Sequence, residues 1–100
     1  MAITTTRFDA SEYLDAPEDH IELLNEALAT NDPRVIIHAI GVIARSRGMT
    51  DLAKSTNLGR STLYKAIADD ANPTIETLMK VLDGLGLDLQ ARVKARSAAA

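Results

Sequence analysis

Apolar residues recur at helical spacing along most of this chain, and the intervals fail only at short polar breaks. From Pro17 to about Ala29, Ile21, Leu24 and Leu28 form one stripe, widened by Leu23 and Ala27, which predicts an amphipathic helix with those residues inward. Thr30-Asn31-Asp32-Pro33 then stops that helix and starts the next, with Asp32 as N-cap and Pro33 in the first turn. The second helix should end near Arg47 and Gly48. Val35, Ile36, Ile37, Ala39, Ile40, Val42, Ile43 and Ala44 make it apolar nearly all round, so it is expected to be the central, most buried element. Asp69 to Pro73 is a polar breaker, after which Thr74 caps a helix whose Ile75, Leu78, Met79, Leu82 and Leu85 are expected inward, ending at Gly84 or Gly86.

Between these lies Thr50 to Ile67, which reads as two short helices and a tight turn, a helix-turn-helix. Thr50 is the expected cap of the first. Ala53 allows the two helices to approach closely, while Leu52, Leu58, Leu63 and Ile67 supply the apolar face. Asn57 falls at the turn, where positive φ is required and asparagine is second only to glycine. Gly59 opens the second helix without a side-chain cap, leaving its first amides to meet a phosphate oxygen. Arg60, Ser61, Tyr64 and Lys65 point outward and are of the kind that reads base edges in a major groove of double-stranded DNA. Arg60 and Lys65 are the expected base contacts; Gly59, Thr62, Lys54 and the Asn72 to Thr74 loop are the expected backbone anchors.

At the ends the pattern changes. Asp9-Ala10-Ser11-Glu12 has the form of a capping box and predicts one or two helical turns to about Leu14, with Phe8, Tyr13 and Leu14 as apolar material too short to form its own core. Leu87 to Lys94 alternates apolar and polar with period two, the direct reading being a short strand. A lone strand needs a mate, the simplest being the same strand of a second copy; the alternative is a frayed tail from about residue 94.

Composition narrows the class. The chain has 100 residues, which suit one small domain or one domain with an appendage, and is 46% hydrophobic, with one Phe, two Tyr and no Trp, so its core is aliphatic and favours packed helices. It lacks cysteine, which removes disulfides and thiolate metal sites, and no apolar stretch approaches a membrane span; a cytoplasmic protein without membrane partners or cofactors is expected. Net charge is -3, but unevenly placed. Residues 1–32 hold eight acids against Arg7, a net -7, and residues 33–100 hold ten Lys or Arg against six acids, a net +4. The acidic front repels phosphate, so it faces away from any nucleic acid or serves a basic partner.

Three segments together resemble the HigA-like addiction-module antidote proteins, antitoxins with a helix-turn-helix of the phage-repressor (Xre/Cro) type. They are Phe8 to Leu14 with Pro17-Glu18, His38 to Met49, and Gly59 to Ala66 followed by Asn72-Pro73-Thr74 and Leu78 to Leu87. The resemblance covers roughly residues 5 to 93. It implies a protein that neutralises a small basic toxin of the RelE/ParE-like type and represses its own operon as a homodimer. Toxin contacts would then come from Phe8, Tyr13 and Leu14 as anchors, with Asp9, Glu12, Asp15, Glu18, Asp19 and Glu22 as complementary charge. Asn57 and Gly59 stand where such sequences often carry Gly and Ser, so the usual serine cap of the reading helix is absent.

The reading is therefore an all-α protein of five to six helices: an acidic extension and first helix (1–32), a helix-turn-helix domain (33–93) and a tail (94–100). Dimerisation runs through the helix at 74–85 or the strand at 87–93. The alternative is a free-standing repressor without a toxin. An enzyme is not expected, because neither His20 in the acidic helix nor His38, expected at the core or its boundary, has a patterned nucleophile or metal-ligand spacing.

Overall fold

A computed structural model describes residues 17–94, and over that range the chain is all-helical, with five helices and no strand. They are α1 (Pro17–Ala29), α2 (Pro33–Arg47), α3 (Met49–Thr56), α4 (Arg60–Ala66) and α5 (Ile75–Gly84). The short helix expected at Asp9 to Leu14 lies outside the described residues, as does the tail beyond Lys94.

Local chemistry sets the boundaries. Asn31 takes positive φ (58°) to end α1, and the Asp32 carboxylate accepts from the Arg34 amide at 3.0 Å to begin α2. One residue, Gly48, both ends α2 and begins α3: at φ 105° its N–H donates to Ala44 O and its carbonyl accepts from Leu52 N. Thr50 is thus not the cap, because the helix is already under way at Met49 and Gly48 stands in the capping position. Asn57 is left-handed (φ 64°) and closes α3, as its sequence position requires.

α5 closes with a Schellman motif in which Gly86 (φ 78°) donates to Asp83 O and Leu87 N donates to Leu82 O. Arg47 reaches the same end from α2, its guanidinium donating to Leu85 O at 3.2 Å.

The core is aliphatic: Ile40, Ile43, Leu52, Leu63, Ile67, Val81 and Leu82 are its largest fully buried side chains. Each contributes about 1.5–3 kcal/mol through burial. α1 packs on α2, α2 on α3, and α3 on both α4 and α5, which also touch each other. Gly84 is the closest approach, since a Cβ there would lie 2.6 Å from Thr56 Cγ2 and 3.1 Å from Leu52 Cδ1.

Three expectations are corrected by how the helices are turned. α1 buries His20, Leu24 and Ala27, with Leu23 half-buried, while Ile21 and Leu28 stay exposed. α5 buries Val81 and Leu82, with Leu85 just past its end, but exposes Ile75 (72%) and Met79. α2 contributes the most buried residues, yet it is not enclosed all round: Val35 and His38 are exposed, and His38 is neither core nor boundary. Leu87 to Lys94 forms no strand in the single chain, because no described segment lies alongside to complete a ladder.

Candidate functional site

α4 has only seven residues, and its placement follows from one face. Leu63, Ala66 and the following Ile67 are buried, which turns Arg60, Ser61, Thr62, Tyr64 and Lys65 to solvent. The Arg60 guanidinium carbon lies 5.7 Å from the Tyr64 ring centroid, one turn away, so the ring steers the cation. Gly59 precedes this helix in an extended conformation (φ -69°, ψ 157°) with no side-chain cap, and a Cβ there would meet open space.

Beside α4 lies a shallow notch of about 240 Å³, lined by Thr62, Lys65 and Ala66 on one side and Asn72, Pro73 and Thr77 on the other. It brings the exposed face of α4 together with the loop before α5. Thr74 caps α5: its hydroxyl accepts from Thr77 N and donates to Thr77 Oγ1, both at 3.1 Å. That hydroxyl is occupied within the helix start. Lys54 is exposed on α3.

A second surface is built by α1. With His20, Leu24 and Ala27 turned inward, Glu18, Glu22 and Glu26 stand in a row at i, i+4 and i+8 on the exposed face, interleaved with Ile21, Asn25 and Ala29. Like charges at that spacing disfavour an isolated helix. Among the described residues no basic side chain pairs with them, the ion pairs there being His38–Asp69 and Lys80–Glu76. Asp19 is half-buried beside this row. Phe8, Asp9, Glu12, Tyr13, Leu14 and Asp15 lie outside the described residues.

A family model for a probable addiction module antidote protein matches residues 4–93. The chain belongs to this family. An uncharacterized protein of Haemophilus influenzae is 40% identical over 83 residues, spanning 83% of this chain and 86% of its own length. No solved structure matches. The match to the antidote family takes in both surfaces, the row on α1 and the face of α4, as parts of one unit.

Three features of this antidote-family chain escaped sequence reasoning. The Arg60–Tyr64 stack was available in principle, since the two residues are four apart on a helix. Glu26 continues the row begun by Glu18 and Glu22 and follows once the buried face of α1 is known. The pairing of His38 Nδ1 with Asp69 Oδ1, 3.1 Å apart and exposed, joins α2 to the turn after α4 and has no local sequence signal. Among the described residues no three His, Asp or Glu side chains gather as a metal site, and no helix is long and apolar enough to cross a membrane.

Proposed function

We propose that this chain is the cytoplasmic antitoxin of a toxin–antitoxin module, HigA-like in type, neutralising a small basic RelE/ParE-like toxin and repressing its own operon as a homodimer. On this reading α3 and α4 are a helix-turn-helix of the phage-repressor (Xre/Cro) type, and α4 enters the major groove of operator DNA. Arg60 and Lys65 contact base edges, with Ser61 and Tyr64 beside them; Gly59, Thr62, Asn72, the Thr74 backbone and Lys54 hold phosphates. The toxin docks on the acidic front, with Glu18, Asp19 and Glu22 as its charged rim and Phe8, Tyr13 and Leu14 as anchors, joined by Asp9, Glu12 and Asp15.

The observation that carries the reading is the exposed face of α4. Five consecutive-turn residues able to donate hydrogen bonds or stack stand clear of the core on a seven-residue helix clamped by Leu63 and Ala66. The stretch belongs to the positively charged part of the chain, while the row of glutamates, an electrostatic liability with no basic partner among the described residues, sits on α1. No catalysis is assigned. His20 is buried in the α1 interface, and the His38 ring is engaged by Asp69.

The test is a titration of the protein against the DNA upstream of its own gene at several salt concentrations, beside an Arg60→Ala/Lys65→Ala variant. Specific wild-type binding with a steep salt slope is expected. Loss of one good guanine contact costs about 1–3 kcal/mol, so the double variant should bind at least roughly tenfold more weakly. Equal binding by both proteins would remove α4 from the role of reader. Operator binding without any basic protein partner would favour a free-standing repressor instead.

A further inference from the structure

Beyond α5 the chain runs back alongside α1 and leaves a groove of about 390 Å³ between them. Its apolar walls are Ile21, Leu24 and Leu28 of α1 and Leu87 and Leu89 of the C-terminal segment, with Arg92 at the rim. Ile21 is 49% exposed and Leu89 41%, while Val93, a few residues on, is 93% exposed. Asn25, Asp88 and Gln90 also line it, so a single chain carries an unfilled groove of mixed lining with an apolar wall on each side, and an uncovered apolar side chain. We propose that Leu87–Lys94 becomes a strand only in a dimer, pairing antiparallel with the same segment of a second copy about a two-fold axis at Gln90, and that each Val93 then fills the other copy's groove.

Parity and charge narrow the register, and the groove selects it. In an antiparallel pair, residues directly opposite share a face, so an axis passing between two residues would set every apolar position against a polar one. An axis through a residue keeps Leu87, Leu89, Ala91 and Val93 on one face and Asp88, Gln90, Arg92 and Lys94 on the other. With the axis at Gln90, Asp88 faces Arg92 of the second copy twice over, Leu87 faces Val93, and Leu89 faces Ala91. Val93 then arrives beside Leu87, which lines the groove. An axis at Ala91 also keeps parity and sets Asp88 against Lys94 and Val93 against Leu89; the axis at Gln90 is the one that sets Val93 against Leu87, the half-buried residue at the root of the groove.

The root of the segment is fixed where such pairing needs it to be. The Schellman motif at Gly86 and the half-burial of Leu87 hold the start of the segment on the core; Leu87 and Leu89 line the groove against α1, while Val93 stands in solvent. Two paired strands alone are marginal, but here their apolar face would rest on Ile21 and Leu28 of two α1 helices. This also gives those two α1 residues, left outside the core of the single chain, something to bury against.

The proposal rests on the two-fold assembly of the proposed function, and its test uses neither DNA nor toxin, so its failure is distinct from failure of the operator reading. The chain contains no cysteine, so a single introduced one reports a single position. Under mild oxidation Gln90→Cys should cross-link two copies rapidly, since opposed Cα atoms lie about 4.5–5.5 Å apart, within disulfide reach, and Ala91→Cys should not. In analytical ultracentrifugation Asp88→Arg, which sets like charges opposite each other twice, should raise the dimer dissociation constant roughly tenfold or more, and adding Arg92→Asp should restore it. These residues are exposed, so the fold tolerates the changes. Cross-linking no faster at Gln90 than at Ala91 would overturn the register. A protein monomeric at all concentrations, or a dimer abolished by Met79→Asp but indifferent to Asp88→Arg, would overturn the pairing itself.

Discussion

Gly84 and Gly86 stand two residues apart at the end of α5 and answer to different physics. Gly84 is the last helical residue, and what it lacks matters: a Cβ would lie 2.6 Å from the branched Thr56 on α3. Thr56 is itself fixed, buried with its hydroxyl donating to Ala53 O and accepting from Leu58 N, so it has little room to yield. Gly86 meets nothing at its Cβ but holds φ 78°, where L side chains are strained. Gly84→Ala should therefore lower stability by about 1–3 kcal/mol through overpacking. Gly86→Ala should cost about 1 kcal/mol through backbone strain. Chemical denaturation of both variants checks the order; a neutral Gly84→Ala would mean that α3 and α5 can separate at no cost. From the sequence, either glycine could end the helix. The helix end was legible only to within these two glycines, and the role of Gly84 depends on Thr56, which only the packing of α3 against α5 brings near.

The same contrast governs whole elements. Most helix limits were legible because caps are local: Asp32, Asn57, Thr74 and, at the end of α2, Gly48 each act within a few residues of their own position. The start of α3 was not, since the sequence points to Thr50 and nothing local shows that Gly48 serves two helices. Nor was the rotation of α1 and α5. Both helices offer two overlapping apolar stripes, Ile21/Leu24/Leu28 against Leu23/Leu24/Ala27 in α1 and Ile75/Met79 against Leu78/Val81/Leu82/Leu85 in α5, and periodicity alone cannot rank them. The surface of α4 was legible because Leu63, Ala66 and Ile67 leave its outward face no alternative. One change tests that helix as an element. Gly59 has open space at its Cβ and extended dihedrals, both suited to a serine cap accepting from an amide of the first turn. Gly59→Ser should raise stability by a few tenths of a kcal/mol and, on the proposed function, strengthen DNA binding by a phosphate contact without changing sequence preference. Thermal melts and a salt titration read the two effects separately. A drop in stability would show that the amides at the start of α4 are already satisfied.

At the scale of the whole chain, charge separates along the sequence more sharply than hydrophobicity does. Residues 1–32 carry net -7 and the remainder net +4, a division visible without any fold because it needs only counting. The packing order gives it a spatial counterpart: α1, with its row of glutamates, packs on α2, while α4 packs on α3 and α5. If the acidic row serves a basic toxin and α4 serves DNA, the two can be uncoupled by charge alone. A Glu18→Gln/Glu22→Gln/Glu26→Gln variant keeps the shape of α1 and relieves repulsion along it, so its melting temperature should hold or rise. Its DNA affinity should change little, and its salt slope should stay the same, because no phosphate contact is removed. Association with the basic toxin should slow, by roughly tenfold or more at low ionic strength, with the difference shrinking as salt screens the field. Rapid-mixing measurements across a salt series would reveal that convergence. Should toxin association be as fast as in the wild type at every salt concentration, the row would be no more than a solvated helix face, and the toxin's contacts would have to be sought in the segment that precedes α1.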